Sequence, residues 1–270
     1  MYDSENVIVS QEHKRYLMGH KRKNSAISFS RFIILIFIFA LWEIAAYKEW
    51  IDPFIMSQPS RIIKTMASMS KDGSILMHTG VTVYETIIGF VSGTVLGTMI
   101  AIALWWSDFL AKVLDPYLVV LNALPKTALG PIILVWIGGT TKSIIVMALL
   151  LSIVVTIINV FTGFSNCDED KIKLLKTFGA NKRQILRKVV FPAGIPTIIS
   201  TLKINVGLSL VGVIVGEFLV SKSGLGHLII YGGQVFKMDL VMTSVLILAI
   251  VAAILYLSVL WIEKKVLKMM

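Results

Sequence analysis

Lipid offers a peptide group no hydrogen-bond partner, so a segment that crosses it must satisfy its own backbone, as a helix does. That constraint governs this chain. Leu240 to Ile262 and Ser143 to Phe161 each run their full length without one charged side chain. At 1.5 Å per residue, about twenty apolar residues cross a hydrocarbon core of about 30 Å. Four other stretches come close to that requirement: Phe32 to Tyr47, Val81 to Leu104, Pro116 to Ile137 and Ile195 to Leu219. The fold class expected is therefore an all-α polytopic membrane protein with six transmembrane helices. A chain that is 56% hydrophobic and 16% charged, with a mean hydropathy of +0.81, agrees with this and excludes an ordinary soluble domain.

The net charge of +10 has the same origin and does not imply nucleic-acid binding. Basic side chains cluster in the first thirty residues, between the fourth and fifth spans, and at the C-terminus. With both termini placed in the cytoplasm, eighteen Lys and Arg fall on that side and seven on the other, as the positive-inside rule requires. Three regions follow: a mobile basic arm over 1–31, a membrane domain over 32–265, and a cytoplasmic tail over 266–270. No cleavable signal pattern precedes the first span. Cys167 is the sole cysteine, so an intrachain disulfide is impossible, and the four His and one Cys form no metal-ligand spacing. Neither a metal nor another cofactor is expected.

Between the fourth and fifth spans lies the one long polar segment of the C-terminal two thirds, within residues 165–194. Lys171, Lys173, Lys176, Lys182, Arg183, Arg187 and Lys188 make it basic. Ile172, Leu175 and Phe178 repeat at three-residue spacing, the apolar face of a short helix that Gly179 would stop. Asn181 and Gln184 have capping-box spacing for a second helix, with Ile185, Leu186, Val189 and Val190 on its apolar side. Pro192 and Pro196 are expected to close the segment. A polar helix–Gly–helix between two spans reads as a docking surface.

The run Lys176-Thr177-Phe178-Gly179-Ala180, with Ile185, Val189, Pro192 and Pro196 at fixed offsets, resembles the EAA loop of ABC-importer membrane subunits. In that family the loop couples the membrane subunit to an ATPase. By spacing from Gly179, the three positions that name the motif are Lys173, Leu174 and Leu175, so a Lys stands where a Glu is usual. Two more segments narrow the resemblance: Leu124 to Pro131, and Gly216 to Gly226 followed by Tyr231 to Phe236. Over residues 32 to 265 the chain resembles permeases of nitrate/sulfonate/taurine-type importers, aliphatic-sulfonate permeases most of all. The resemblance implies the type I importer fold and coupling through Lys173, Leu174, Leu175, Thr177, Phe178, Gly179 and Ala180. It also implies a bacterial plasma-membrane location and four partners: a cytoplasmic ATP-binding subunit, an extracytoplasmic substrate-binding protein, a second copy of the chain, and the surrounding lipid. The chain has no G-x-x-x-x-G-K-[ST], so ATP would be held by another polypeptide and the chain itself is not an enzyme.

Ionisable groups within spans cost about 2.5–3.5 kcal/mol each and so face protein or water. Glu43 reads as a solvated end residue and Lys203 as structural. Glu85 stands where many sulfonate-type relatives have Arg; it reads either as a salt-bridge partner, Lys203 being one choice, or as part of the translocation path. Glu217 reads as a gate or binding-protein contact. Asn122, Pro125, Lys126 and Thr127 interrupt the third span, either lining a cavity or gate or simply kinking the helix. Gly89, Gly93 and Gly97 recur every fourth residue and mark a face for close helix packing. Ser223 to Gly226 and Tyr231 to Gly233 read as a tight external turn.

The solute expected is a small anion, a sulfonate for instance. An acidic lining at Glu85 leans instead toward a vitamin precursor such as a thiamine pyrimidine or riboflavin. A secondary transporter or channel would need internal inverted repeats, which the sequence lacks. An intramembrane enzyme would need paired catalytic groups within the spans.

Overall fold

The computed structural model describes residues 11–269, and among these every regular element is helical. Residues up to Ile63 form one compact unit and those from Lys64 another. In the first unit, α1 (Gln11–Tyr47) carries the first span in its C-terminal half, where Phe32 to Ile38 expose their apolar side chains. The part of the basic arm that is described, residues 11–31, is helical and continuous with that span; residues 1–10 lie outside the described residues. Asp52 caps the short α2 (Pro53–Met56) by accepting from Phe54 N at 2.8 Å. Glu43 accepts a hydrogen bond from Ser60 N at 3.0 Å, at the start of α3 (Pro59–Lys71). It is thus a fixed helix-end acceptor, where the sequence reading had it in solvent.

The second unit is built on three long helices: α4 (Ser74–Trp106), α7 (Thr141–Ser165) and α10 (Phe191–Val220). Between α4 and α7 the chain forms α5 (Asp108–Ala123), a 3₁₀ turn over Lys126–Leu129 and α6 (Gly130–Ile137). These form a pair bent by 88° at Leu124 and Pro125. Asp108–Asp115 is already part of the helix, because Ser107 caps it by accepting from Leu110 N at 3.2 Å. Leu124 is extended, as a residue before proline tends to be, and there the span breaks. Among the described residues five helices are long and apolar enough to cross a membrane, or six with the bent pair counted as one span. The last of them is α12 (Met238–Met269).

The expected Gly stripe meets a matching one. A Cβ on Gly89 would strike the Cβ of Ala148; one on Gly93, the Oγ of Ser152; one on Gly97, the Cβ of Thr156 at 2.6 Å. Small residues four apart on α4 therefore lie against small residues four apart on α7, so the two backbones come close. From the other side, Gly212 of α10 would place a Cβ 2.6 Å from the Cα of Ala148, and Gly216 one 3.0 Å from the Cα of Ile144. Helix α7 is thus clasped between its two neighbours.

The polar segment folds as α8 (Glu169–Thr177) and α9 (Lys182–Ile185), and its exit differs from the expectation. Pro192 and Pro196 close nothing: Leu186–Val190 form a π turn and α10 follows without a break. Proline has no N–H to give to the α-helical ladder. A five-residue turn just before Pro192, in which Phe191 N donates to Leu186 O, lets the helix pass the gap. The glycine-rich segment after α10 also differs, since Leu225–Gln234 form a helix, α11, which packs on α12.

Gly212 and Gly207 give a matched test of the clasp, since Gly207 has no atom within 4 Å of its missing Cβ. Gly212→Ala should cost about 1–3 kcal/mol of overpacking against backbone that no rotamer change can move. It should lower the thermal midpoint of the purified protein by several degrees. Gly207→Ala should leave that midpoint unchanged.

Candidate functional site

Two polar sites sit at opposite ends of the α4–α7–α10 bundle. At the first, Asp168 caps α8 by accepting from Asp170 N at 2.9 Å. Helix α8 ends at Gly179, whose φ of +75° suits a residue without a side chain. Gly179 N donates to Lys176 O and Ala180 N to Leu175 O, both at 3.0 Å, which is a Schellman termination. The expected capping box then starts α9: Gln184 N donates to Asn181 Oδ1 at 2.9 Å and Asn181 N to Gln184 Oε1 at 2.8 Å.

This geometry divides the loop into two faces. Ile172, Leu175, Ala180, Ile185, Val189 and Val190 pack on Ala101, Val160, Phe164 and Cys167 at the ends of α4 and α7. Phe178 does not join them, although its spacing matched Ile172 and Leu175. It is the C-cap, turned away as the chain reverses at Gly179, and is 77% exposed. Leu174, four residues earlier, is also exposed, and Thr177 turns its hydroxyl back onto Leu174 O at 2.7 Å. Lys173 forms ion pairs at 3.4 Å with both Glu169 and Asp170, so its charge is balanced within α8. Lys182 lies over the Trp105 ring at 5.6 Å from its centre, a cation–π contact tying the loop to α4. The result is a rigid loop with an outward apolar knob made of Leu174 and Phe178.

The other site gathers Glu85 and Glu217. Glu217 Oε1 accepts from the Thr82 hydroxyl at 2.7 Å, and Oε2 from Gly226 N at 2.5 Å. Thr82 in turn accepts from Leu225 N at 2.8 Å, and His78 Nδ1 from Gly224 N at 3.0 Å. Three successive amides, those of the N-cap and the first two residues of α11, are thereby held by side chains of α4 and α10. A Cβ on Gly224 would collide with the Glu217 carboxylate. Glu217 therefore anchors the turn that begins α11, a role its sequence position did not reveal.

Glu85 lies on the same face of α4, one turn beyond Thr82. It is 1% exposed, and neither carboxylate oxygen has a hydrogen-bond partner. Glu217 and Thr141 stand beside it. Together with Met77, Gly80, Val81, Tyr84, Thr141 and Ser223 it lines a cavity of about 430 Å³.

The salt bridge considered between Glu85 and Lys203 does not form. Lys203 Nζ bonds Glu263 Oε1 at 2.8 Å, joining α10 to α12. The antiparallel register of α4 and α10, read from Thr94–Asn205 and Thr82–Glu217, places Lys203 level with Leu96, roughly 16 Å along the helix from Glu85.

Asn122, Pro125 and Thr127 are exposed at the bend after α5, and Lys126 reaches back to Asn122 O at 3.2 Å. None of the four lines the cavity at Glu85. Halfway between the two sites, Asn205 donates to Thr94 at 3.1 Å and Thr156 at 2.6 Å, a polar joint of all three core helices. The sequence signal for this joint was a lone Asn inside an apolar run.

Removing the acceptor at Glu217 tests the anchored turn. Glu217→Ala leaves Gly226 N–H and the Thr82 hydroxyl unmatched, at about 1–3 kcal/mol each. Trypsin should then cut after Lys222 markedly faster than in the wild type, with Glu217→Gln in between.

Comparison with known proteins agrees with this architecture. Residues 93–268 match the family of binding-protein-dependent transport system inner membrane components. A probable ABC transporter permease of Haemophilus influenzae is 30% identical over 221 residues, covering 82% of this chain and 89% of that protein. A putative aliphatic sulfonates transport permease of Bacillus subtilis is 27% identical, covering 86% of this chain and 84% of that protein. Other relatives are named for taurine, formylaminopyrimidine, riboflavin and nitrate transport. The fold is similar to a chain of the inward-facing MetNI methionine ABC transporter, with a TM-score of 0.64 at 17% identity over 73% of this chain and 98% of that one. By the family match, the extent of the relatives and the helical bundle, this chain belongs to the binding-protein-dependent transport system inner membrane components, the permeases of ABC transporters.

Proposed function

We propose that this chain forms the membrane path of an ATP-driven importer in a bacterial plasma membrane, with both termini cytoplasmic. ATP is hydrolysed by a separate ATP-binding subunit seated on the α8–α9 loop. An extracytoplasmic binding protein delivers solute at the opposite end, and a second copy of the chain completes the path. The exposed Leu174–Phe178 knob carries the reading, because a docking contact must be rigid to transmit force. The Schellman turn, the capping box and the buried side of the loop supply that rigidity. From the loop, one continuous helical run from Lys182 to Val220 leads to Glu217 at the far end. A displacement of the loop is thus delivered to α10 and the turn before α11.

The solute proposed is a small organic anion such as a sulfonate or taurine, or nitrate, in keeping with several of the relatives' names. A nitrogen-bearing vitamin precursor is the second reading; the buried Glu85 carboxylate favours it, as do relatives named for formylaminopyrimidine and riboflavin.

Co-purification of the tagged chain with its nucleotide-binding partner tests the assignment. Phe178→Ala should weaken that association about tenfold or more, as loss of a central aromatic anchor does. At Gly179 an added Cβ would meet no atom within 4 Å, but Val would hold a β-branched residue at positive φ, a strain of about 1–2 kcal/mol. Gly179→Val should reduce solute uptake per ATP hydrolysed while leaving the spans folded. Recovery of the chain with no ATPase partner would overturn the reading.

A further inference from the structure

We infer that the cavity beside Glu85 is a solute subsite for a nitrogen group bearing N–H donors, an ammonium or an amino-substituted heterocycle, with the Glu85 carboxylate as acceptor. The inference rests on the importer reading and selects among its solutes.

Burying a carboxyl group without a hydrogen-bond partner is expensive even when it takes up a proton, so one kept within a span marks a candidate functional position. Among the described residues no Lys or Arg forms an ion pair with Glu85; Lys203 pairs with Glu263 instead, and Lys142 and Lys222 follow and precede the cavity residues Thr141 and Ser223 in sequence. The neighbouring Glu217 is itself held in place, with Thr82 donating to one oxygen and Gly226 to the other. It adds a second acidic group beside the first. Two carboxyl groups side by side in a low-dielectric site do not both stay ionised: either one takes up a proton or a positive, donor-rich group comes between them. The wall is therefore selective for a cationic or donor-rich group and unfavourable to a bare anion.

The dimensions and surroundings fit a small solute. The cavity follows α4 for more than two turns, from Met77 to Glu85, and its volume of about 430 Å³ lies in the range of small-molecule pockets. The Tyr84 ring and the hydroxyls of Thr141 and Ser223 supply an aromatic face and further polar contacts. An aminosulfonate satisfies both demands at once, presenting its ammonium to Glu85 and keeping its sulfonate away from it. Nitrate and unsubstituted alkanesulfonates offer no donor at all. The subsite thus divides the relatives' solutes into those that can use Glu85 and those that cannot.

The test is calorimetric titration of the permease with its co-purified ATPase in nanodiscs, using ethylammonium chloride, taurine and 4-aminopyrimidine as probes. Ethanesulfonate serves as the donor-free control at matched ionic strength. Ethylammonium and at least one amino-bearing probe should bind. Glu85→Gln should weaken them about tenfold or more, the worth of one hydrogen bond to a charged group. Glu85→Asp should retain most of the binding and Thr141→Val part of it; these two carry the test if Glu85→Gln does not fold. Ethanesulfonate should show no dependence on Glu85. Absence of binding by every amino-bearing probe, or equal affinities in wild type and Glu85→Gln, would overturn the subsite while leaving the importer reading intact if the ATPase is present and active. A preparation with no ATPase would overturn the importer reading, and the same titration on the permease alone would still decide the subsite.

Discussion

The rest of the second unit depends on the contact between α7 and its two neighbours. Ala148 is touched from one side by the bare backbone of Gly89 and from the other by that of Gly212. In lipid no hydrophobic gain drives helices together, so close packing and polar contacts must hold them. Small residues let the backbones approach, and polar groups then come into range: Asn205 with Thr94 and Thr156, and Glu217 with Thr82. Each of these bonds crosses between helices, so each requires the spacing that the glycines permit.

The four ionisable groups singled out within spans share a chemistry but not a solution. Glu43 accepts a backbone amide at the start of α3, and Lys203 pairs with Glu263. Glu217 is saturated by a hydroxyl and an amide. Glu85 alone keeps both oxygens free of partners. A buried charge is normally explained by the groups around it, and for three of the four that explanation is complete within the chain. The fourth is why the cavity beside it draws a functional reading.

How far the sequence could be read follows from how local each cause is. The Asn181–Gln184 capping box, the Gly179 stop and the Leu124–Pro125 break each depend on residues a few positions apart, and all were legible. The Gly89–Gly93–Gly97 stripe was legible as a face, though its partner stripe on α7 was not. Helix α11 was read as a turn because no local cap announces it. Its first amides are held by His78, Thr82 and Glu217, distant in sequence. Phe178 was placed inward by periodicity, which takes no account of a helix that terminates at that residue. The run through Pro192 and Pro196 was missed because proline ordinarily ends a helix, and only a wider turn before it permits the passage.

Continuity of α10 is what gives that missed feature its importance. Had the prolines ended the segment, the loop would join the bundle through a hinge, and motion at the loop could be absorbed there. With the π turn the loop and the membrane helix share one hydrogen-bonded path, and only the wider turn interrupts its α-helical spacing. Twenty-odd residues farther on, the same helix places Glu217 against Thr82 and beside Glu85. Glycines at 212 and 216 bring the α10 backbone close against α7. A shift of α10 along α7 would alter the Thr82–Glu217 register and, with it, the wall of the cavity. The arrangement therefore links the α8–α9 loop, the docking surface proposed above, to the acidic site through one helix, and the anchored start of α11 is the part that must yield or move with it.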